Sequence, residues 1–305
     1  MSVRSWYRTN TFRHGEFTPE RLAEHSSTTV SVCLPARNEA RTIGPILEQI
    51  EPLREQGIVD QVVVVDDSTD GTAQIARELG AEVHDQDELW PEHGPVLGKG
   101  DAMWRALRVL RGEIVCFLDA DSEEFGPHYV RGLLGPLLCR PTISFVKGFY
   151  RRPFRQGETT FPDGGGRVTE LTARPLLNMF YPELSAVEQP LAGEIAARRD
   201  VLEQLPFVTG YGVDIALLID AYTMLGLDAI AQVDLHVRQN AHQSLRDLGP
   251  MAYAVLQAVA SRLAREGRLN GPLPTTFTAP GPEGLEPVVS DPVQRPPVRS
   301  LRAAA

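Results

Sequence analysis

The stretch EIVCFLDADSEEF (residues 113–125) decides the fold class. It begins with a short apolar run that is typical of a buried strand, and the run ends on two carboxylates, Asp119 and Asp121. In α/β sheets, ligands bind beyond the carboxyl ends of the strands. The spacing of the two carboxylates suits a shared divalent cation that bridges to a diphosphate, because hard oxygen ligands favour Mg²⁺ or Mn²⁺. The alternative is a simple acidic turn, since Asp is also common in turns and helix caps.

Strands and helices alternate on both sides of this stretch, which predicts an α/β fold with a mostly parallel, Rossmann-like sheet flanked by helices. Strands are predicted at residues 29–34, 61–65, 113–118, 143–149 and 229–237. Helices are predicted from three- and four-residue apolar spacing at residues 41–53, 71–79, 101–110, 170–177, 212–225 and 248–263. After Gly271 the chain becomes proline-rich, and we expect no regular structure there.

Composition narrows the class of protein. A chain of 305 residues that is 42% hydrophobic can bury a full core. Its formal net charge of -10 argues against nucleic acid as a partner. The sequence has neither an apolar run long enough for a membrane span nor a secretory signal pattern, so we expect no membrane partner and a cytoplasmic location. Cys33, Cys116 and Cys139 are unpaired in spacing and predicted to be reduced core residues.

Polar clusters follow two further strands. Pro35–Glu39 precede a predicted helix whose N-terminus can receive an anion, with Glu39 suited to a nucleotide base or ribose; the alternative is a helix cap by Asn38. Asp66–Ser68 can hold a base and ribose, or belong to a turn ending in Asp-Gly.

Lys99 lies between two glycines just ahead of a helix, where its ammonium can approach a diphosphate without steric obstruction. Lys99 and Lys147 are the only lysines among 30 basic residues. A lysine retained in such an arginine-rich chain suggests a compact charge in a tight site.

Several motifs together resemble the glucosyl-3-phosphoglycerate synthases of actinobacteria, a family of retaining GT-A glycosyltransferases. The motifs include LPARNEARTI (34–43), VDDSTDGT (65–72), FLDADS (117–122), GGGRVTELTARPLL (164–177), GYGVDIALLID (210–220) and LGLDAIAQVDL (225–235). The resemblance covers roughly residues 29–260. It implies transfer of glucose from UDP-glucose to 3-phosphoglycerate, with Mg²⁺ or Mn²⁺, in a homodimer.

The resemblance also implies a role for individual residues. The donor nucleotide sugar would be bound by Pro35, Ala36, Arg37, Glu39, Asp67, Ser68, Lys99, Ala120, Tyr211 and Asp214. The catalytic set would be Lys99, Asp119, Asp121 and Asp214, with Asp121 on the metal. The acceptor would be bound by Gly165, Gly166, Arg167, Thr169 and Asn240. The implied division is an N-terminal extension (1–28), a nucleotide-sugar half (29–140), an acceptor half (141–247) and a C-terminal helix with a proline-rich tail (248–305).

The physical chemistry of the glycine-rich loop agrees with an acceptor site. Glycine amides can close on a phosphate, and Arg167 can bind a phosphate or carboxylate with two N–H groups. A flexible hairpin tip is the alternative.

The chain departs from the family pattern at two places. The family has Glu where this chain has Asp214, which is one methylene shorter. It also has an Arg-x-His-x-Asn pattern with a metal-binding His, where this chain reads VRQNAHQSL (237–245). Ungapped alignment places Asn240 on that His, but a neutral imidazole is the better ligand, so we favour His242 as the metal ligand, with His236 or a surface role for His242 as alternatives.

Two other functions fit the same sequence. One is the same fold acting on a different phosphorylated or carboxylated acceptor. The other is a nucleotide-sugar-binding regulatory protein without catalysis, which the intact Lys99, Asp119 and Asp121 argue against. An assay of donor hydrolysis with metal separates an active glycosyltransferase from such a regulatory protein.

Overall fold

A computed structural model describes residues 1–25, 27–152, 154–156, 159–161, 165–238, 244–281 and 284–302, with the backbone alone for 154–156, 159–161, 278–281 and 284–286. The strands are β1 (Thr11–Arg13), β2 (Val30–Ala36), β3 (Gln61–Asp66), β4 (Glu82–Asp85), β5 (Ile114–Phe117), β6 (Phe145–Arg151), β7 (Phe154–Gln156), β8 (Thr159–Phe161), β9 (Ile195–Arg198), β10 (Phe207–Val208), β11 (Ile230–Val237), β12 (Thr276–Gly281), β13 (Gly284–Val289) and β14 (Gln294–Arg295). The helices are α1 (Val3–Thr9), α2 (Pro19–Ala23), α3 (Ile43–Glu55), α4 (Thr72–Glu78), α5 (Lys99–Ala106), α6 (His128–Cys139), α7 (Arg174–Phe180), α8 (Arg199–Leu202), α9 (Val213–Leu225), α10 (Leu248–Arg265) and α11 (Val298–Arg302), with a π-helical turn at Thr169–Ala173.

Eight of these strands form one sheet in the order β1-β11-β6-β9-β5-β2-β3-β4. Its neighbours pair in parallel except at β9, which runs antiparallel to both β5 and β6. The predicted mostly parallel sheet is therefore confirmed. Residues 1–28, which we interpreted as an extension, supply the edge strand β1.

The sequence of β3, QVVVVD, explains why the sheet is covered on both faces. Side chains alternate between faces along a strand. Val63 and Val65 accordingly join one apolar core, with α5, α9 and α10, while Val62 and Val64 join the other, with α3 and α6. A strand buried on both sides has a continuous apolar run rather than an alternating one, as parallel sheets require.

The predicted elements are present with boundary shifts of a few residues. The antiparallel strand β9, the helix α6 and the edge strands β1 and β4 were not predicted. The expectation of an irregular tail after Gly271 is wrong: β12 and β13 pair with each other, and β14 pairs with β10. Proline removes one backbone donor but is tolerated at strand edges, so a proline-rich composition did not exclude these pairings.

Within the part of the chain that the structure describes, no helix has the length and apolarity needed to cross a membrane. Cys33 and Cys116 are buried, Cys139 is half-buried, and all three are free thiols, as predicted.

Candidate active site

A cavity of about 600 Å³ opens at the carboxyl edge of the central sheet. The predicted site residues that line it are Pro35, Ala36, Arg37, Glu39, Asp67, Lys99, Asp119, Ala120, Asp121, Gly165, Gly166, Arg167, Thr169, Tyr211 and Asp214. Residues from distant parts of the sequence thus meet in one place, as the strand-end argument predicts. Ser68 lies in the wall behind the lining: its hydroxyl donates to Asp66 Oδ1 at 2.7 Å and accepts from the Asn38 amide at 2.7 Å. Asn240 and His242 lie outside the described residues.

The two carboxylates after β5 are joined by one guanidinium. Arg238 Nη1 donates to Asp119 Oδ2 at 3.0 Å, and Nη2 donates to Asp121 Oδ1 at 2.6 Å. Asp119 also accepts from Lys99 Nζ at 2.5 Å. The two carboxylates differ in burial, since the side chain of Asp119 is 21% exposed against 52% for Asp121. Burial favours the neutral acid, but the charges of Lys99 and Arg238 outweigh it and hold the pKa of Asp119 well below its ordinary value.

Arg238 also pairs with the buried carboxylate of Glu194, and the same Nη1 donates to the Tyr150 hydroxyl at 3.0 Å. Tyr150 in turn donates to Glu194 Oε2 at 2.9 Å. Our sequence analysis missed Arg238, Glu194 and Tyr150. Glu194 directly precedes β9, and only the antiparallel insertion of β9 between β5 and β6 brings its side chain to Arg238.

Lys99 is the first residue of α5, and its ammonium lies between two carboxylates. It is 2.5 Å from Asp119 Oδ1 and 3.6 Å from Asp214 Oδ2. Burial disfavours the ammonium, yet the two carboxylates outweigh that effect and raise the pKa of Lys99 above its ordinary value. Lys99 is thus a fixed positive charge on the cavity wall, as predicted.

Asp214 keeps one carboxylate oxygen unused. Its Oδ1 is buried and has no hydrogen-bond partner among the residues that the structure describes. Burial raises the pKa of Asp214, and the charges of Lys99 and Lys147 oppose that rise. A buried acceptor without a donor is costly, and the Asp214 side chain also lines the cavity, where a ligand hydroxyl would find a carboxylate acceptor.

Lys147 of β6 is a second buried lysine close to Asp214 and Lys99. Lys147 is 1% exposed, and its ammonium donates to the Ala192 carbonyl at 2.6 Å. Burial lowers the pKa of Lys147 to about 8. The hydrogen bond fixes the Ala192–Gly193 peptide, which passes directly against the Lys99–Asp119 pair.

This contact makes Gly193 a sensitive position. A Cβ there would overlap Lys99 Nζ and both oxygens of Asp119, so Gly193→Ala must separate the pair or move the backbone. We expect a loss of activity of about 10-fold or more, comparable to a small displacement of a catalytic group. Gly15→Ala is the control, because a Cβ at Gly15 meets no atom within 4 Å. Equal initial rates for the two variants would contradict this account of the site.

The loops after β2 and β3 hold each other in place. Asn38 adopts a positive φ of 60°, and its side chain accepts from the Thr69 amide at 3.0 Å. Asp70 accepts from the amides of Ala40 and Thr72, both at 3.1 Å. The turn interpretation thus holds for Asp70. Asn38 does not cap α3, whose N-cap residue is Thr42. Glu39 and Asp67 line the cavity. Burial raises the pKa of Glu39.

The glycine-rich loop forms another part of the cavity wall. The Gly165 amide donates to the Arg152 carbonyl at 3.0 Å, and Gly166 has a φ of 72°, which favours glycine. Arg152 also lines the cavity and donates to the Tyr150 hydroxyl at 2.8 Å. Arg152 and Arg167 give this wall two guanidinium groups, which suits an anionic ligand. Arg152 was not among the predicted site residues.

A divalent cation fits the donor set at Asp119 and Asp121. Carboxylate oxygens suit Mg²⁺ and Mn²⁺, and Arg238 already places a positive group between these two side chains. The described residues hold no group of three metal-binding side chains. The predicted third ligand, His242, belongs to residues 239–243, which directly follow Arg238 and lie outside the described residues.

Comparison with known proteins shows which class of enzyme the chain resembles. Residues 31–169 match the model of Glycosyl transferase family 2. The architecture is accordingly the GT-A fold of these glycosyltransferases.

The chain belongs to the glucosyl-3-phosphoglycerate synthase family, to which its resemblance had pointed. The glucosyl-3-phosphoglycerate synthase of Petrotoga mobilis is 44% identical over 253 residues, 82% of this chain and 78% of that protein. The crystal structure of the Mycobacterium tuberculosis enzyme with Mn²⁺, UDP-glucose and phosphoglyceric acid is 42% identical, with a TM-score of 0.84 over 96% of this chain and 99% of that one. Mannosyl-3-phosphoglycerate synthase from Rubrobacter xylanophilus is 47% identical, with a TM-score of 0.90 over 98% of each chain.

Proposed function

We propose that this protein transfers glucose from UDP-glucose to 3-phosphoglycerate with retention of configuration, in a metal-dependent reaction. The observation that carries the proposal is the cavity itself. Lys99, Asp119, Asp121 and Asp214 line it together with Arg152 and the Gly165–Thr169 loop. Cationic side chains are thus present both beside the carboxylates and in the glycine-rich loop, which suits an anionic leaving group and an anionic acceptor. The M. tuberculosis relative binds Mn²⁺, UDP-glucose and phosphoglyceric acid together.

The chain's own residues would stabilise part of the charge that develops in the reaction. The bond between the sugar C1 and the β-phosphate oxygen breaks, a bond from C1 to the acceptor hydroxyl oxygen forms, and the hydroxyl proton leaves to the departing phosphate or solvent. Lys99 and Arg238 are positioned to stabilise the negative charge of the departing diphosphate. A divalent cation held by Asp121, with His242, would add Lewis-acid stabilisation of the same charge.

Asp214 and the glycine-rich loop would orient the two reactants. Asp214 lines the cavity, and its carboxylate would accept a hydrogen bond from a sugar hydroxyl. Arg167 and Thr169 would hold the acceptor so that its hydroxyl attacks from the face that the diphosphate leaves. This front-face substitution needs no protein nucleophile, in keeping with Asp119, whose two oxygens are both engaged by cations.

The sugar donor defines a second candidate. A structure 47% identical to this chain carries the name mannosyl-3-phosphoglycerate synthase, and Asp214 is shorter than the family Glu. The test is a matrix of UDP- and GDP-linked glucose and mannose against 3-phosphoglycerate and other phosphorylated hydroxy acids, with products identified by mass spectrometry. Product from UDP-glucose and 3-phosphoglycerate supports the first proposal, and product only from a mannose donor supports the second. Binding without any product would support a regulatory protein.

Arg167→Lys tests the acceptor assignment. The substitution keeps the charge but loses the two-pronged geometry, so the KM for 3-phosphoglycerate should rise about 10-fold while the KM for UDP-glucose changes far less. Arg174→Lys is the control, since Arg174 pairs with Glu170 and does not line the cavity. Equal increases in both KM values would assign the loop to something other than the acceptor.

Assembly as a homodimer in the cytoplasm is part of the same proposal and rests on the family resemblance. Size-exclusion chromatography with light scattering measures the oligomeric state directly, and a monomer would contradict the proposed homodimer.

A further inference from the structure

The C-terminal tail returns to the donor side of the active site. Residues 293–298, which we call the clasp, include β14, which pairs antiparallel with β10. The Thr209 amide donates to the Val293 carbonyl at 3.0 Å, and the Val293 amide donates to Thr209 Oγ1 at 2.9 Å. β10 leads within a few residues to Gly210, Tyr211 and Asp214 on the cavity wall. The clasp is thus attached to the segment that carries Asp214.

Arg295 attaches the clasp to the start of α5 as well. Its Nε donates to Asp101 Oδ1 at 2.8 Å, and its Nη2 donates to Asp101 Oδ2 at 2.7 Å. Asp101 is fully buried, and Arg295 is 7% exposed. A third donor, Nη1, reaches the His93 carbonyl at 2.7 Å. A charge-assisted pair with two parallel hydrogen bonds restricts the relative orientation of its two side chains and also stabilises their contact.

Asp101 passes this constraint to Lys99. Its Oδ2 also accepts from the Leu97 amide at 3.0 Å, which closes the turn that begins α5. Lys99 lies inside that turn, between the two ends of the hydrogen bond. Gly100 packs so closely on β10 that a Cβ would overlap the Val208 carbonyl. The position of the Lys99 backbone is therefore determined by Asp101 and by β10, and Arg295 contacts both.

Arg105 also lies beside Asp101, but it offers this carboxylate only one nitrogen. Arg105 Nε is 3.4 Å from Asp101 Oδ1, but its terminal nitrogens already donate to the carbonyls of Leu89, Trp90 and Gly94. Trp104 forms a further hydrogen bond to the clasp: its indole N–H donates to the Pro296 carbonyl at 2.8 Å. A buried ion pair gives little net stability over an apolar substitute, which leaves positional precision as its contribution here.

We propose that Arg295 is a positioning residue for the donor half of the active site. It acts through Asp101 on Lys99 and through β14 on the segment 210–214. This inference rests on the proposed function, since that function assigns Lys99 to the diphosphate of the donor. The tail that composition suggested to be irregular is then part of the machinery that binds nucleotide sugar.

The test compares Arg295→Lys with Arg302→Lys in the full-length chain. Arg295→Lys keeps the charge but loses the two-pronged contact, so we expect UDP with Mn²⁺ to bind about 10-fold more weakly by calorimetry. The KM for UDP-glucose should rise similarly, while the KM for 3-phosphoglycerate stays within about twofold. Arg302 is in the same tail, pairs with Glu203 at 2.7 Å and does not line the cavity, so Arg302→Lys should change none of these values.

Amide hydrogen exchange provides a readout that does not depend on activity. In Arg295→Lys, measured well below its melting temperature, the amides of residues 97–101 should exchange faster, and those of the 165–170 loop should not. Unchanged exchange with unchanged UDP binding would overturn the proposal, as would equal losses for donor and acceptor. If the wild-type protein bound no UDP, the proposed function would fall, and the exchange rates would still decide whether Arg295 holds residues 97–101. Should Arg295→Lys fail to fold, Trp104→Phe is compared by the same measurements, with a smaller effect expected on the donor alone. This substitution removes the bond to Pro296 and part of a buried ring that contacts Trp90, His93 and Arg295.

Discussion

Replacing Asp121 with alanine is expected to lower turnover by about 10³-fold or more, which corresponds to about 4 kcal/mol of transition-state stabilisation. The reason is that departure of a diphosphate leaves more negative charge than Lys99 and Arg238 neutralise, and Asp121 is the exposed member of the carboxylate pair that is suited to a divalent cation. Initial rates across a Mn²⁺ titration measure the effect.

The fold should survive this substitution. The Asp121 side chain is 52% exposed, and ion pairs at such positions contribute little to stability. Arg238 retains Asp119 and Glu194 as partners. Glu123→Ala is the matched control, because Glu123 is in the same loop and pairs with the exposed Arg41. Undiminished turnover of the wild-type protein in excess chelator would contradict metal dependence altogether.

The site features that the sequence predicted correctly are those that depend on a short stretch of neighbouring residues. Asp119 and Asp121 end an apolar strand, Lys99 lies between glycines before a helix, and their convergence follows from the rule that parallel strands end at one edge. Each of these features needs only a strand or helix and its immediate neighbours. Such features are therefore predictable from the sequence alone.

The features that were missed depend on contacts across the sequence. Glu194 reaches Arg238 only because β9 inserts antiparallel between β5 and β6, and a short apolar run does not reveal its direction. The helix α6 contains two glycines and a proline, which lower helix propensity, yet it packs its apolar residues against the sheet. Arg295 is in a tail whose composition predicted irregular structure, but its partner Asp101 lies 194 residues earlier.

The other large effect is expected at Lys99. Lys99→Gln removes the ammonium that lies 2.5 Å from Asp119 and faces the cavity, so turnover should fall by about 10²- to 10³-fold, as when one preorganised donor is removed from a site of developing charge. Arg108→Gln, at an exposed position just after α5, is the control for loss of one positive charge.

Lys99→Arg shows whether the positive charge at this position is sufficient or whether the compact shape of the ammonium is also required. Gly193 packs directly against Lys99 Nζ, so on the side of Gly193 and Asp119 the ammonium has no room for a larger planar group. A guanidinium would have to displace Asp119 or the backbone at Gly193, and we therefore expect Lys99→Arg to be nearly as inactive as Lys99→Gln, although it keeps the charge. The same tight fit explains why a lysine is found here in a chain that otherwise relies on arginine. Single-turnover rates with saturating UDP-glucose measure the chemical step in both variants. Near wild-type turnover of Lys99→Arg would show that only charge matters at this position, and the close packing by Gly193 would then have no role in selecting lysine.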